Sequence, residues 1–179
     1  MKKIVLIVAL LSFLNSCSKE QETKTESPAE STAKIIRHSI DPEEEGYDIE
    51  QVLKIDQELP VVHLIVPASW DQAALDKIAQ LELLEEITFN KIDLSAKNIN
   101  FIAKRRTLKT LKFQQCTLND DIFELIKKTI VEKITFSKTP LTKTIIQSLL
   151  KAPRLKEVST DQETDTLQSS LADIKISKI

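Results

Sequence analysis

Two histidines, His38 and His63, and two cysteines, Cys17 and Cys116, are the side chains of this sequence best suited to proton transfer, metal binding or nucleophilic attack. Their spacing excludes most of that chemistry. The histidines show no HExxH or paired spacing for zinc. Two cysteines are too few for a cysteine zinc site or a disulfide framework. Gly46 is the only glycine. A phosphate-binding loop and a GxSxG nucleophile elbow need several, so neither is present. Acidic residues number 27, and nothing in their spacing singles out a pair set for glycoside hydrolysis. The expectation is a protein with no catalytic centre, no metal and no cofactor. One catalytic alternative stays open, a hydrolase using His63. Glu86, on a neighbouring strand, would orient the imidazole as a general base. A surface ion pair explains the same neighbours.

Cys17 stands in a different context. Lys2 and Lys3 make a positive start, and Ile4 to Leu14 is an apolar run of 11 residues. That run is too short to cross about 30 Å of hydrocarbon as a helix, but it suits the middle of a signal peptide. It ends in Leu14-Asn15-Ser16-Cys17, which resembles the lipobox of bacterial lipoproteins. The alternatives are an ordinary secretory signal with an incidental cysteine, or a buried N-terminal helix. The resemblance implies that residues 1–16 are removed as a lipoprotein signal peptide and that Cys17 carries a covalent lipid. Several acyl chains anchor stably where one binds marginally. It also implies a bacterial cell-envelope location, as an outer-membrane lipoprotein facing the periplasm or the cell exterior. Ser18, not aspartate, follows the cysteine, so inner-membrane retention is not indicated. Ser18 to Glu22 resembles the acidic surface-export signals of Bacteroidetes lipoproteins, and reads equally well as a solvated linker. Residues 17–33 form the lipidated cysteine and a flexible tether, because almost nothing apolar is present to offset the entropy of ordering them.

The rest of the chain suits one domain. Of 179 residues, 41% are apolar and 4% aromatic, so Leu, Ile and Val must fill the core. The net charge is −2 with a pI near 5.8, and removal of Lys2 and Lys3 leaves 23 basic against 27 acidic residues, or −4. Nucleic acid is therefore not an expected partner, since binding it requires a basic surface.

A repeat of 23 to 24 residues organises the domain. Leu84 to Phe89, Leu108 to Phe113 and Val131 to Phe136 align without gaps, with weaker copies at Leu155 to Thr160 and Val61 to Val66. The central residues Leu64, Ile87, Leu111, Ile134 and Val158 are separated by 23, 24, 23 and 24. In the second half of the unit, Trp70, Leu94, Leu118 and Leu141 recur at 24, 24 and 23. Each precedes a helix-capping residue: Asp71, Ser95, Asn119 and Thr142. Each cap opens apolar spacing of helical period, as in Ile99, Ile102 and Ala103, or Ile145, Ile146, Leu149 and Leu150. One strand-and-helix unit cannot bury its own apolar face. Stacked units bury it against each other, so the strands align as a parallel sheet. Phe89, Phe113 and Phe136 should form one interior column, with Leu94, Leu118 and Leu141 another. Trp70 should be core at the first turn.

These residues resemble the leucine-rich-repeat family, whose unit reads Leu-x-x-Leu-x-Leu-x-x-Asn/Cys-x-Leu. Leu108, Leu111, Phe113, Cys116 and Leu118 meet every spacing. The resemblance implies an α/β solenoid with a parallel sheet on the concave face and helices on the convex face, over residues 60–160. Ile92 and Thr139 stand where the family prefers Asn or Cys, so an incomplete ladder of turn side chains is expected. Cys116 reads either as a reactive thiol or as a small buried turn residue. The latter is expected, because the family packs cysteine there. Residues 34–59, with Ile35, Ile36, a charged loop Asp41 to Glu45 and a helix around Ile49 to Ile55, should form the N-terminal cap. Residues 161–179 should form the C-terminal cap, through either a helix (Leu167, Leu171, Ile174) or a strand-like copy (Leu171, Ile174, Ile176).

Alternation along each strand leaves three rows facing solvent. The first is His63, Glu86, Thr110, Lys133 and Glu157. The second is Ile65, Thr88, Lys112, Thr135 and Ser159, and the third is Pro67, Asn90, Gln114, Ser137 and Asp161. The surface is small, polar and mixed in charge, without Tyr or Trp anchors, and suits a wet recognition face for a protein or glycan partner. The expected function is therefore a membrane-anchored, non-catalytic interaction module. The alternative is a structural envelope lipoprotein with no specific ligand.

Overall fold

The computed structural model describes residues 38–149, 151–162 and 174–179. The signal segment, Cys17, the tether, Ile35, Ile36, Leu150, Leu167 and Leu171 lie outside the described residues. In chain order the elements are β1 (His38–Ile40), α1 (Pro42–Glu45), α2 (Ile49–Glu58), β2 (Val61–Val66), α3 (Gln72–Lys77), β3 (Glu86–Asn90), α4 (Phe101–Lys104), β4 (Thr110–Gln114), α5 (Asp120–Ile126), β5 (Lys133–Ser137), α6 (Lys143–Leu149), β6 (Glu157–Thr160) and β7 (Lys175–Lys178). The strands form one sheet in the order β1 to β7, and every neighbouring pair is parallel. This is an α/β fold in which an all-parallel sheet alternates with short helices, consistent with a leucine-rich-repeat-like solenoid.

The register follows the repeat. Ile40, Leu64, Ile87, Leu111, Ile134, Val158 and Ile176 pair in succession across all seven strands. The first six are buried completely. Two residues on, Phe89, Phe113 and Phe136 stack with ring centroids 5.6 and 5.5 Å apart and interplanar angles of 11° and 17°. The helices close the other side of this core with Leu75, Ile102, Phe123, Ile126 and Leu149, all essentially buried. Leu94 is buried, Leu118 and Leu141 half-buried, and Trp70 is core.

Side-chain caps start most helices. Asp48 and Gln51 form a reciprocal capping box on α2, Asp71 accepts from the Ala74 N–H, and Asn119 from that of Ile122. Gly46 ends α1 at φ 71°, a left-handed conformation that costs glycine nothing. Lys91, Gln115 and Lys138 adopt the same region, at φ 55°, 55° and 48°, directly after β3, β4 and β5. A non-glycine residue there costs roughly 1–2 kcal/mol. The turn offsets that cost by prolonging the ladder: the Lys91 N–H donates to Gln114 O and that of Gln115 to Ser137 O, each at 2.8 Å. For Lys138 the acceptor is a side chain, Asp161 Oδ2 at 2.5 Å.

Four expectations need correction. Ser95 does not cap a helix. Asp93 and Asn98 accept from the N–H groups of Ser95 and Asn100, holding residues 95–100 in turns, and α4 starts only at Phe101. Short polar side chains bonding the local backbone compete with helix in this way. Asp41 to Glu45 is not a loop: Asp41 accepts from Glu43 and Glu44, and Pro42 opens α1. The N-terminal cap contributes a strand, β1, so the sheet begins before residue 60. The turn ladder also runs further than expected. Thr139 Oγ1 accepts from the Cys116 N–H at 3.1 Å and lies 3.1 Å from the carbonyls of Phe113 and Ser137, and Gln162 Nε2 donates to Thr139 O at 2.9 Å. At the C-terminal end, β7 is strand, with Ile176 opposite Val158.

Candidate functional site

The face of the sheet away from the helices carries the residues expected to meet a partner. Pairing places His63, Glu86, Thr110, Lys133, Glu157 and Lys175 side by side across β2 to β7. Ile65, Thr88, Lys112, Thr135, Ser159 and Ser177 form the next row, and Asn90, Gln114 and Ser137 the third.

Two hydrogen-bonded networks occupy this face. At one end Ser39 Oγ lies 2.8 Å from His63 Nδ1, and His63 Nε2 lies 3.2 Å from both Glu86 Oε1 and Thr88 Oγ1. Glu86 Oε1 also receives Lys112 Nζ at 2.5 Å. At the other end Glu157 Oε1 receives Lys133 Nζ at 3.1 Å and Ser177 Oγ at 3.0 Å, and Ser159 Oγ lies 2.7 Å from Ser177 Oγ. Thr88 and Ser159 are only 2% exposed, covered by these neighbours, so they support the face without offering contact area. Lys112 and Lys133 meet the solvent already committed to carboxylates. A partner encounters them as near-neutral pairs.

Burial holds the His63 imidazole below its ordinary value of 6.5, opposed by Glu86 and assisted by Lys112. The neutral ring then accepts from Ser39 at Nδ1 and donates from Nε2 to Glu86. Hydrogen bonds from Lys133 and then Ser177 hold Glu157 below the usual carboxylate range. Burial pushes the Cys116 thiol up, and its Sγ lies 3.3 Å from Phe89 O, so it packs in the turn with little thiolate character.

The His63 shift gives a pH test. Above 6.5 the ring is neutral in both folded and unfolded chains and contributes nothing. Below 6.5 the unfolded chain protonates first, so the fold loses stability as pH falls. Urea midpoints should decline between pH 6.5 and the carboxylate range, and the His63→Gln chain should decline less. Equal slopes in the two proteins would refute burial as the controlling cause.

The third row differs from the networks. The side chains of Asn90, Gln114 and Ser137, and those of Thr110 and Thr135 beside them, make no hydrogen bond or ion pair among the described residues. All five are partly exposed. Their capacity to donate and accept is directed at solvent.

Sequence reasoning missed Ser39. It stands 24 residues before His63, the period of the repeat, so extending the repeat one unit back would have placed it beside the imidazole. Among the described residues, no group of three or more His, Cys, Asp or Glu could hold a metal ion. No described helix is long and apolar enough to cross a membrane. Compared with known proteins, the chain matches no protein-family model and no curated protein.

Proposed function

We propose that this protein is an envelope lipoprotein, anchored through lipid on Cys17, whose repeat domain binds a protein or glycan partner on the open face of its sheet. The observation that carries the binding reading is the in-register row Asn90, Gln114 and Ser137, flanked by Thr110 and Thr135, with unspent hydrogen-bonding capacity. The anchor reading rests on the positive start, the short apolar run and Cys17 in Leu14-Asn15-Ser16-Cys17.

Each half has its own test. Cys17→Ala, or the lipoprotein signal-peptidase inhibitor globomycin, should leave the unprocessed precursor in the membrane. A Cys17→Ala chain processed normally and released in soluble form would defeat the anchor. For the face, a photo-crosslinking residue at Gln114 in intact cells should give an adduct that is absent with the same residue at Asp76 on α3. Asn90→Ala with Ser137→Ala should reduce that adduct roughly tenfold, the effect of about 1.4 kcal/mol, at unchanged thermal stability. An undiminished adduct would move the binding surface elsewhere, and no adduct at all would favour the purely structural lipoprotein.

A hydrolase reading has one specific observation behind it, the chain of hydrogen bonds from Ser39 through His63 to Glu86. It resembles a nucleophile, base and orienting acid. Glu86 is shared with Lys112, however, and the strand backbone around the group is spent in the parallel ladder rather than set to stabilise an oxyanion. Hydrolysis of an activated ester that disappears in both Ser39→Ala and His63→Ala would revive it.

A further inference from the structure

Charge is segregated along the stack. Residues 38–83 hold 11 acidic and 2 basic side chains, whereas residues 84–162 hold 9 acidic and 15 basic. Much of the basic excess lies on one rim, where each helix hands over to the next strand. Lys104, Arg105 and Arg106 precede β4, Lys127 and Lys128 precede β5, and Lys151 and Arg154 precede β6. These connections stack directly. Thr107 Oγ1 donates to Leu84 O at 2.8 Å, the Glu132 N–H to Lys109 O at 2.9 Å, and the Lys156 N–H to Glu132 O at 2.8 Å.

Helix ends account for part of this pattern, since a cation near the last carbonyls complements the helix dipole. Lys104 in the last turn of α4 and Lys127 at the end of α5 fill that role. One cation per helix is enough for it, and the rim carries two or three. Lys127 is paired with Glu124, and Arg105 donates to Ile78 O at 2.9 Å. Lys104, Arg106, Lys128, Lys151 and Arg154 are exposed, with no hydrogen-bonded or ion-paired partner among the described residues. Two further features sit on the same rim. A groove of about 450 Å³ opens between Phe101, Glu82 and the cations Lys104, Arg105 and Arg106. Beside it is Leu83, 47% exposed and one of two exposed large apolar side chains among the described residues.

We propose that this rim docks on an anionic phospholipid surface, with headgroup phosphates at the groove and Leu83 against the interface. The proposal rests on the anchored reading above, which keeps the domain beside a bilayer. Basic side chains interleaved with an exposed apolar one are the combination that binds such surfaces, and a second weak contact strengthens a lipid anchor. A second copy of the chain, offering its acidic residues 38–83, is the competing occupant. The edge strand β7 argues against continuing the stack, because Lys175 and Lys178 on it oppose edge-to-edge pairing. Docking by the rim stands the strands end-on to the bilayer. The row Asn90, Gln114 and Ser137, at the opposite strand ends, is then held away from the lipid by the length of a five-residue strand, roughly 16 Å.

The test is an amine-acylation footprint of the mature chain, purified from membranes and reconstituted into vesicles. One set is phosphatidylcholine alone, and the other is equimolar phosphatidylcholine and phosphatidylglycerol. Lys104, Lys128 and Lys151 should react about fivefold or more slowly in the anionic vesicles, and high salt should remove the difference. Lys91 and Lys138, on the opposite rim, should react alike in both. Arg106→Glu with Arg154→Glu should restore the reactivity of Lys104 and Lys151. Equal reactivity in both vesicles overturns the proposal. So does protection that ignores lipid charge and grows with protein density, which would identify the second copy. Intact mass reports the Cys17 lipid separately. A bare Cys17 with a rim protected by anionic lipid fails the anchor alone, and a lipidated chain with an unprotected rim fails the docking alone.

Discussion

Phe113→Ala is expected to destabilise the domain by about 3–5 kcal/mol, a large part of the stability of a domain this size. Phe113 is buried completely and is the one ring stacked on both sides, against Phe89 at 5.6 Å and Phe136 at 5.5 Å. Alanine removes the apolar area and leaves a cavity that the fixed spacing of the strands prevents from collapsing. It also ends two ring contacts worth about 0.5–1.5 kcal/mol each beyond area. Solenoid stability is carried by interfaces between successive units, so a gap at β4 uncouples the units on either side of it. Urea unfolding followed by far-ultraviolet circular dichroism should show a lowered midpoint and a broadened or split transition. Phe113→Leu, which refills most of the space, should recover more than half of the loss. A Phe113→Ala midpoint within error of the parent would mean that the stacked column does not hold the repeats together.

Thr139→Val should cost about 1–3 kcal/mol, although it changes the shape of the side chain hardly at all. Thr139 is buried completely, and its hydroxyl is the acceptor for the Cys116 N–H while pointing back at the carbonyls of Phe113 and Ser137. Valine leaves that N–H buried without a partner, and an unmet buried donor bears the full cost of its lost solvation. Thr139→Ser keeps the hydroxyl and should lose less. Amide hydrogen exchange adds a local reading: Cys116 should lose protection in the valine protein and keep it in the serine protein. Protection at Cys116 that survives Thr139→Val would show that another group supplies the bond.

The open face separates what residue type foretold from what packing imposed. Which residues face outward followed from alternation with a period of two, and the pairing of His63 with Glu86 and of Glu86 with Thr110 is the one that the 23- and 24-residue spacing requires. The fate of each side chain on that face did not follow. Lys112 and Lys133 look available in a list of polar residues, but each lies within reach of a carboxylate one strand away. Thr88 looks exposed by its position and is covered by the longer side chains around it. Contacts between strands depend on rotamers and on side-chain length, which no one-dimensional spacing contains.

The ends and the turns show the same division. Ile40 continues the inward column, yet it sits in a three-residue strand too short for a periodic signal. β7 starts 18 residues after the start of β6, off the repeat's period, and only its pairing with β6 distinguishes strand from helix and places Ile176, rather than Ile174, opposite Val158. In the turn position a hydroxyl on Thr139 serves where an amide or thiol was expected, because the donor and acceptor needed lie on the neighbouring coil.

By itself, the sequence determined the period, the inward columns and the parallel stack, because hydrophobic burial repeats wherever residue type repeats at constant spacing. The tertiary structure alone decided which polar groups satisfy one another, that Ser39 joins His63, that the Thr139 hydroxyl serves the Cys116 N–H, and that cations from three separate connections share one rim. Those outcomes depend on distances between residues about 24 positions apart, and only the stacked coils set them.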